Sequence, residues 1–239
     1  MNFLVRPSKC FLFDALEKKL NKIDRGIGLD AASAGFKNRW MFKTDIYYGL
    51  DISLPAIKEG IKNYNLENTF GVLADLEKLN KLPENSVDLV VSTNTLYHLP
   101  SEKRLKAINH LSRITAPDGL FFCDLIYDHD FQKAYEAISG YFKDIEIIYY
   151  RNMLSGFYEK VFIKNGSFAI KSIVGSKVIR LTAWLISRLE YFTCRLGFLN
   201  KQALLICKNK KNNPIKNKFD LSGFPKLGDK IINLYEDIS

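Results

Sequence analysis

Three carboxylates stand at intervals that suit a bound nucleoside. Asp30 closes the apolar run "GIGLD", Asp51 closes "IYYGLD" 21 residues later, and Asp75 closes the run "TFGVLAD". A carboxylate about 20 residues beyond a first strand-to-helix loop suits a ribose, because its two oxygens accept from both vicinal hydroxyls. An acidic residue ending a third strand can receive the exocyclic amine of adenine. Proton chemistry has few candidates, since the chain has three histidines. His98, in "TNTLYHLP", follows a fourth apolar run, and an imidazole there can take a hydroxyl proton. Packing against the next helix is its plainer use. His129, in "YDHDF", follows a fifth run, with Asp128 beside it to act instead or to orient an imidazole. His110 sits inside a helical segment and reads as structural.

These residues need a scaffold that brings strand ends together. Strand-like runs recur at 27–31, 46–52, 69–76, 87–93, 119–127 and 145–150. Helical segments separate most of them. An amphipathic stretch at 9–22 precedes the first run. Ser53 is expected to cap "LPAIKEGIKNYN", with Pro55 tolerated in the first turn. Ser101 is expected to cap a helix over 102–114 that stops before "APDG", and another helix covers 129–141. Alternation of helices with nearly continuous apolar strands predicts a parallel sheet covered on both faces. Ligands of such sheets bind beyond the carboxyl ends of the strands.

The stretches "GLDAASAG", "YYGLDIS", "VLADLEKL", "LPENSVDLVVSTNTLYHLP" and "APDGLFFCDLI" together resemble the class I S-adenosylmethionine-dependent methyltransferases, over roughly residues 26–127. The resemblance implies an α/β fold: a Rossmann-like, doubly wound, mostly parallel seven-stranded sheet with helices on both faces. Its last strand would be inserted antiparallel, and "ALLICKN", 203–209, is the candidate. It implies S-adenosylmethionine as cofactor. Asp30 and the turn Ala32, Ser33, Ala34 and Gly35 would face the methionine part. Asp51 would hold the ribose with Ile52 against the adenine, Asp75 and Leu76 would meet the adenine edge, and Thr93 and Asn94 would lie beneath the sulfonium. Arg39 could pair with the cofactor carboxylate through its planar fork, or serve as a surface arginine.

The chain departs from the family at the opening loop. Glycines belong there for positive φ and close ligand approach, yet this chain has Ala32, Ala34 and Phe36, with a glycine only at 35. Alanine is expected to manage with negative φ, and Phe36 to belong to a following helix. Two readings stay open beside an intact cofactor site: a scaffold that has lost its ligand, and a nicotinamide-binding domain, which the missing pyrophosphate glycines disfavour. "NTLY" lacks the double proline of base-modifying relatives, which argues against a nucleic-acid acceptor.

Charge and insertion separate the last third. Residues 1–150 carry 19 Lys and Arg against 20 Asp and Glu, and residues 151–239 carry 16 against 6. Residues 1–209 read as the methyltransferase domain, with a helical insertion at 152–200 before the last strand, and 210–239 as a basic linker with a short amphipathic appendage. On a helical wheel Arg180, Arg188, Tyr191 and Arg195 fall within about 80° of arc on an otherwise apolar helix. That face suits a cap over an acceptor, a second subunit or a membrane interface. The four cysteines are scattered, with no metal-binding spacing. No long apolar segment suggests a signal peptide or a spanning helix. The expected protein is a cytoplasmic enzyme, with a membrane-peripheral place left open, that methylates oxygen on a small molecule such as a sugar, a glycan or a lipid intermediate. An anionic acceptor and a homodimer are both left open. Methylation of nitrogen is the nearest alternative.

Overall fold

The computed structural model describes residues 6–24, 26–164, 177–194, 201–212 and 214–235. The chain divides into two compact units, one of residues 20–125, 129–146 and 205–239, the other of 1–19, 126–128 and 147–204.

The sheet falls mostly in the first unit, with its residues 126, 147–150 and 202–204 in the second. Its strands are β1 (Ile27–Ala31), β2 (Ile46–Asp51), β3 (Thr69–Leu73), β4 (Val87–Ser92), β5 (Thr115–Ile126), β6 (Phe142–Tyr150), β7 (Gln202–Lys210) and β8 (Ile231–Asn233), in spatial order β6-β7-β5-β4-β1-β2-β3-β8. β1, β2, β3, β4, β5 and β8 pair in parallel. β7 runs against its neighbours: near its end the Lys211 amide donates to the Tyr141 carbonyl before β6, and before its start Tyr127, after β5, donates to Lys201. The order of strands reverses between β1 and β4, which makes a crevice at the carboxyl ends of these strands.

Local sequence explains most elements. Val90, Val91, Leu29, Leu50, Val72, Phe121 and Phe122 are buried, as strands covered on both faces require. Helix α2 (Leu54–Asn63) begins at Ser53, whose side chain accepts from the Ala56 amide, with proline in the first turn. Helix α3 (Ser101–Ile114) differs from expectation: Pro100 occupies the cap position and Ser101 is the first helical residue, with no capping hydrogen bond. A proline there already sets the extended backbone that precedes a helix. Helix α4 (Phe131–Tyr141) packs on α3.

Two further corrections concern the sheet. It has eight strands rather than seven, because Ile231–Asn233, expected in an appendage, pairs in parallel with β3 in the register Gly71↔Ile231 to Leu73↔Asn233. β5 begins at Thr115, four residues before its expected start at 119, and so takes in "APDG"; a register shift between Val87 and Leu89 on the partner strand accommodates Pro117 there.

The second unit is mostly helical: α1 (Pro7–Leu20) with all but its last residue in this unit, α5 (Met153–Tyr158) continued by a π-helical turn (Glu159–Lys164), and α6 (Lys177–Thr193). Tyr158, Ile179 and Ala183 form its core, with Cys10, Phe162 and Ile186 packed around them.

Candidate functional site

Beyond the carboxyl end of β1 the backbone turns through residues 32–38 without forming a helix, then makes a single 3₁₀ turn at Arg39–Met41. The loop keeps the geometry of a glycine loop without its glycines. Ala32, Ala34 and Phe36 have φ of 60°, 49° and 59°, against the expectation of negative φ at the alanines and of a helix at Phe36. Gly35 is not among the positive-φ residues. Left-handed backbone at a non-glycine residue costs on the order of 1–3 kcal/mol each, so surrounding structure must impose it.

The imposing groups are visible. The Ala34 amide donates to Asp51 Oδ2 at 2.8 Å, and the Ser33 amide donates to the Leu50 carbonyl at 2.9 Å. The Phe36 ring is fully buried and meets Tyr47 edge-on, with ring centroids 5.4 Å apart. It occupies space left by two glycines elsewhere. A Cβ on Gly49 of β2 would fall 2.2 Å from Phe36 Cε1, and one on Gly60 of α2 would fall 2.5 Å from Phe36 Cγ. The glycine requirement has moved from the loop to the strand and helix that receive its side chain.

Asp30 lies under this loop. Its carboxylate is fully buried, accepting from Tyr47 Oη at 2.9 Å and from Asn38 Nδ2 at 3.0 Å. Burial raises it from 3.8 to about 6, the Asp51 charge adds to the rise, and the two hydrogen bonds oppose it. Asn38 Nδ2 also donates to Thr93 Oγ1 at 3.2 Å. Tyr47, Asp30, Asn38 and Thr93 thus tie β2, β1, the loop and the end of β4 together. Asp30 and Thr93, expected to face a ligand, are hydrogen-bonded here to Asn38 of the loop, and Asp30 also to Tyr47. Arg39 is also structural: it is buried, donating to Thr69 Oγ1, the Phe42 carbonyl and Asn68 Oδ1, with its guanidinium 5.0 Å from the Tyr47 ring centroid. These contacts take up the fork expected to meet a cofactor carboxylate.

Asp51 and Asp75 are half-buried. Asp51 accepts from the amides of Ala34 and Ser53, one on each oxygen, which leaves a lone pair on each. Asp75 Oδ1 accepts from the Glu77 amide, capping the 3₁₀ segment Leu76–Lys81. Ile52 is 65% exposed, and Leu76 is buried. The β2–β3–β8 register sets Asp51, Leu73 and Asn233 in one row, so Tyr235 follows β8 as Asp75 follows β3. The Tyr235 phenol is raised by burial and by the charges of Asp75 and Asp51. Sequence reading missed Tyr235, because nothing in "KIINLYEDIS" signals a strand.

At the end of β4, Asn94 adopts φ 60°, its amide donates to Asp124 Oδ1 at 2.6 Å, and its side-chain oxygen accepts from Tyr97 Oη at 3.4 Å. Asp124 is fully buried and was hidden inside the apolar run "GLFFCDLI". His98 is exposed, its ring 4.3 Å from that of Tyr97. His129 is exposed with Nε2 3.5 Å from Asp130, and Asp128 belongs to the second unit. His110 is structural as expected, half-buried with Nε2 3.2 Å from the Glu77 carbonyl. Among the described residues no cluster of His, Cys, Asp or Glu could hold a metal ion.

Residues 23–123 match the family model described as methyltransferase domain. A putative sarcosine dimethylglycine methyltransferase from Galdieria sulphuraria has a similar structure, at a TM-score of 0.56 and 15% identity over 85% of this chain and 86% of that one. So does phosphoethanolamine N-methyltransferase 2 of Haemonchus contortus, solved with S-adenosylhomocysteine, at 0.54 and 13% over 83% of this chain and 52% of that one. The (4+2)-cyclase SpnF has the same fold, at 0.55 and 12% over 84% and 81%. No curated protein sequence matches the chain. The chain has the class I methyltransferase fold, and residues 23–123 are similar to the methyltransferase domain family; S-adenosylmethionine is the cofactor of that class.

Proposed function

We propose that the protein transfers a methyl group from S-adenosylmethionine to an oxygen of a small molecule, such as a sugar, a glycan or a lipid intermediate. The observation that carries the cofactor half is the pair Asp51 and Asp75 at the ends of neighbouring strands. Each carboxylate keeps acceptor capacity after its backbone contacts. Asp51 would take the ribose hydroxyls and Asp75 the adenine amine, with Tyr235 walling the far side. The positive-φ loop suits the amino-acid end, where it needs to approach closely but not to cradle phosphate. The cofactor supplies an electrophilic methyl on a sulfonium; the chain's own residues bind, orient and manage the proton. A hydroxyl acceptor must lose a proton as it attacks, and the exposed imidazole of His98, beyond β4, can take it on a ring nitrogen. An amine acceptor makes no such demand once neutral, so His98 favours oxygen. Three strained non-glycine residues in the loop support a second reading, a scaffold that keeps the fold and no longer binds the cofactor.

Titration calorimetry with S-adenosylmethionine separates the two. The wild type is expected to bind, and Asp51→Ala to lose about 1–3 kcal/mol of binding free energy, because ribose hydroxyls would be left unpaired. Absence of binding by the wild type sinks the methyltransferase reading. Equal affinity in the variant misplaces the ribose.

A further inference from the structure

We propose that the second unit docks on an anionic membrane surface through the outward face of α6. The proposal does not depend on the cofactor reading and survives its failure.

The face is apolar where a solvated helix would be polar. Val178, Leu181, Leu185, Leu189 and Phe192 are 71%, 57%, 49%, 54% and 72% exposed. At 100° per residue they lie within roughly 80° of arc. The helix's packed side is the opposite one, with Ile179, Ala183, Ser187 and Glu190 buried. A soluble helix buries its apolar stripe; this one buries a serine and a glutamate and presents leucines. Beside the stripe stands Trp184, 38% exposed, with the Arg188 guanidinium 4.9 Å from its ring centroid. Tryptophan with an adjacent cation suits the boundary between lipid headgroups and chains.

Charge selects the partner. The second unit carries 13 Lys and Arg against 5 Asp and Glu, a net +8, whereas the first carries 22 against 21. Nearly all of the chain's excess positive charge is therefore in the unit that bears the stripe. Of its five carboxylates, Asp128 is exposed and three are buried or paired. Glu159 and Glu190 are buried, Glu159 pairs with Arg151, and Asp14 pairs with Arg188. Lys18, Lys160 and Lys177 remain exposed. Arg188 is thus engaged internally rather than free for an acceptor; Arg180 is half-buried, and Arg195 lies outside the described residues. Among the described residues no helix is long and apolar enough to cross a membrane, so the face lies on a bilayer instead of spanning it. A second copy of this chain would bring the same positive charge to the interface and be repelled, whereas an anionic bilayer complements both the charge and the stripe.

The test is cosedimentation of the full chain with vesicles of phosphatidylcholine alone and of phosphatidylcholine with phosphatidylglycerol. Binding is expected only to the anionic vesicles, falling as salt rises because attraction is screened over about 8 Å at physiological ionic strength. Leu185→Glu with Leu189→Glu, checked for native circular dichroism, should reduce partitioning at least about tenfold. In a Trp40→Phe background the Trp184 emission should shift to the blue on anionic vesicles. No binding at low salt overturns the proposal, as does binding that the double variant leaves unchanged. A dimer in light scattering that the double variant dissolves, without vesicle binding, assigns the face to a second copy instead.

Discussion

In the sheet unit Asp51 and Asp75 stand half-buried at strand ends with acceptor capacity to spare, while Arg39 is buried and hydrogen-bonded to its neighbours. The second unit places its charge differently. Glu159 and Glu190 are buried, and Lys18, Lys160 and Lys177 face water. The sheet makes the first pattern, because parallel strands end together and hold carboxylates over one crevice. A small helical unit has no such edge, so its buried acids serve as internal struts and its cations form the surface. The two proposals above follow this difference: a small-molecule site for the half-buried acids, an anionic surface for the exposed cations.

The largest expected effect tests the packing that holds the first unit's loop. Phe36→Ala should cost about 3–5 kcal/mol in denaturant melts, as for a fully buried ring. Gly49→Ala alone should cost about 1–3 kcal/mol by overpacking against that ring. Combined, the two should cost less than their sum, since the new methyl enters vacated space. Strict additivity would show that Phe36 and Gly49 are not coupled, and that the loop is held by its hydrogen bonds alone.

The next sharpens the contrast between the buried acids. Asp30 is raised from 3.8 to about 6, and Glu190 from 4.5 to about 7, in both cases chiefly by burial. A raised acid holds its proton more tightly when folded. The stability it retains at low pH is therefore lost as pH rises from the unfolded value to the folded one. For each group the loss is about 3 kcal/mol, complete above the folded pKa. Asp30→Asn should flatten the stability curve between about pH 4 and 6, and Glu190→Gln between about pH 4.5 and 7. Slopes that persist in both variants would place the titrating groups elsewhere.

The smallest effect concerns the proton. His98→Ala should lower methyl transfer to a hydroxyl acceptor by roughly 10²-fold with cofactor affinity nearly unchanged. An unchanged rate, with chemistry limiting, would move the role to His129 or Asp128, or leave the reaction without a base.

The central strands were legible in sequence because covering both faces demands continuous apolar runs, and every predicted run is a strand within a few residues of its expected bounds. Asp30, Asp51 and Asp75 were legible as strand ends for the same reason. What the Asp30 carboxylate touches was not, because Tyr47 and Asn38 reach it from separate segments. The loop misled for a similar reason: Phe36 is tolerable only through Gly49 and Gly60, and no local pattern links the three. β8 escaped notice because three residues are too few to show a period, and Asp124 because a single acid inside "GLFFCDLI" looks like a flaw in a strand rather than the acceptor for the Asn94 amide.

The parallel pairing of β8 with β3 also sets a timetable. Leu73 and Asn233 are neighbours in the sheet yet roughly 160 residues apart in the chain, a separation that slows folding. At typical rates of synthesis, β8 emerges on the order of 10–30 s after β3. During that interval the open flank of "TFGVL" offers unpaired amides and carbonyls beside Phe70 and Val72, a template on which two nascent chains could join. That exposure ends when a three-residue strand pairs along the flank.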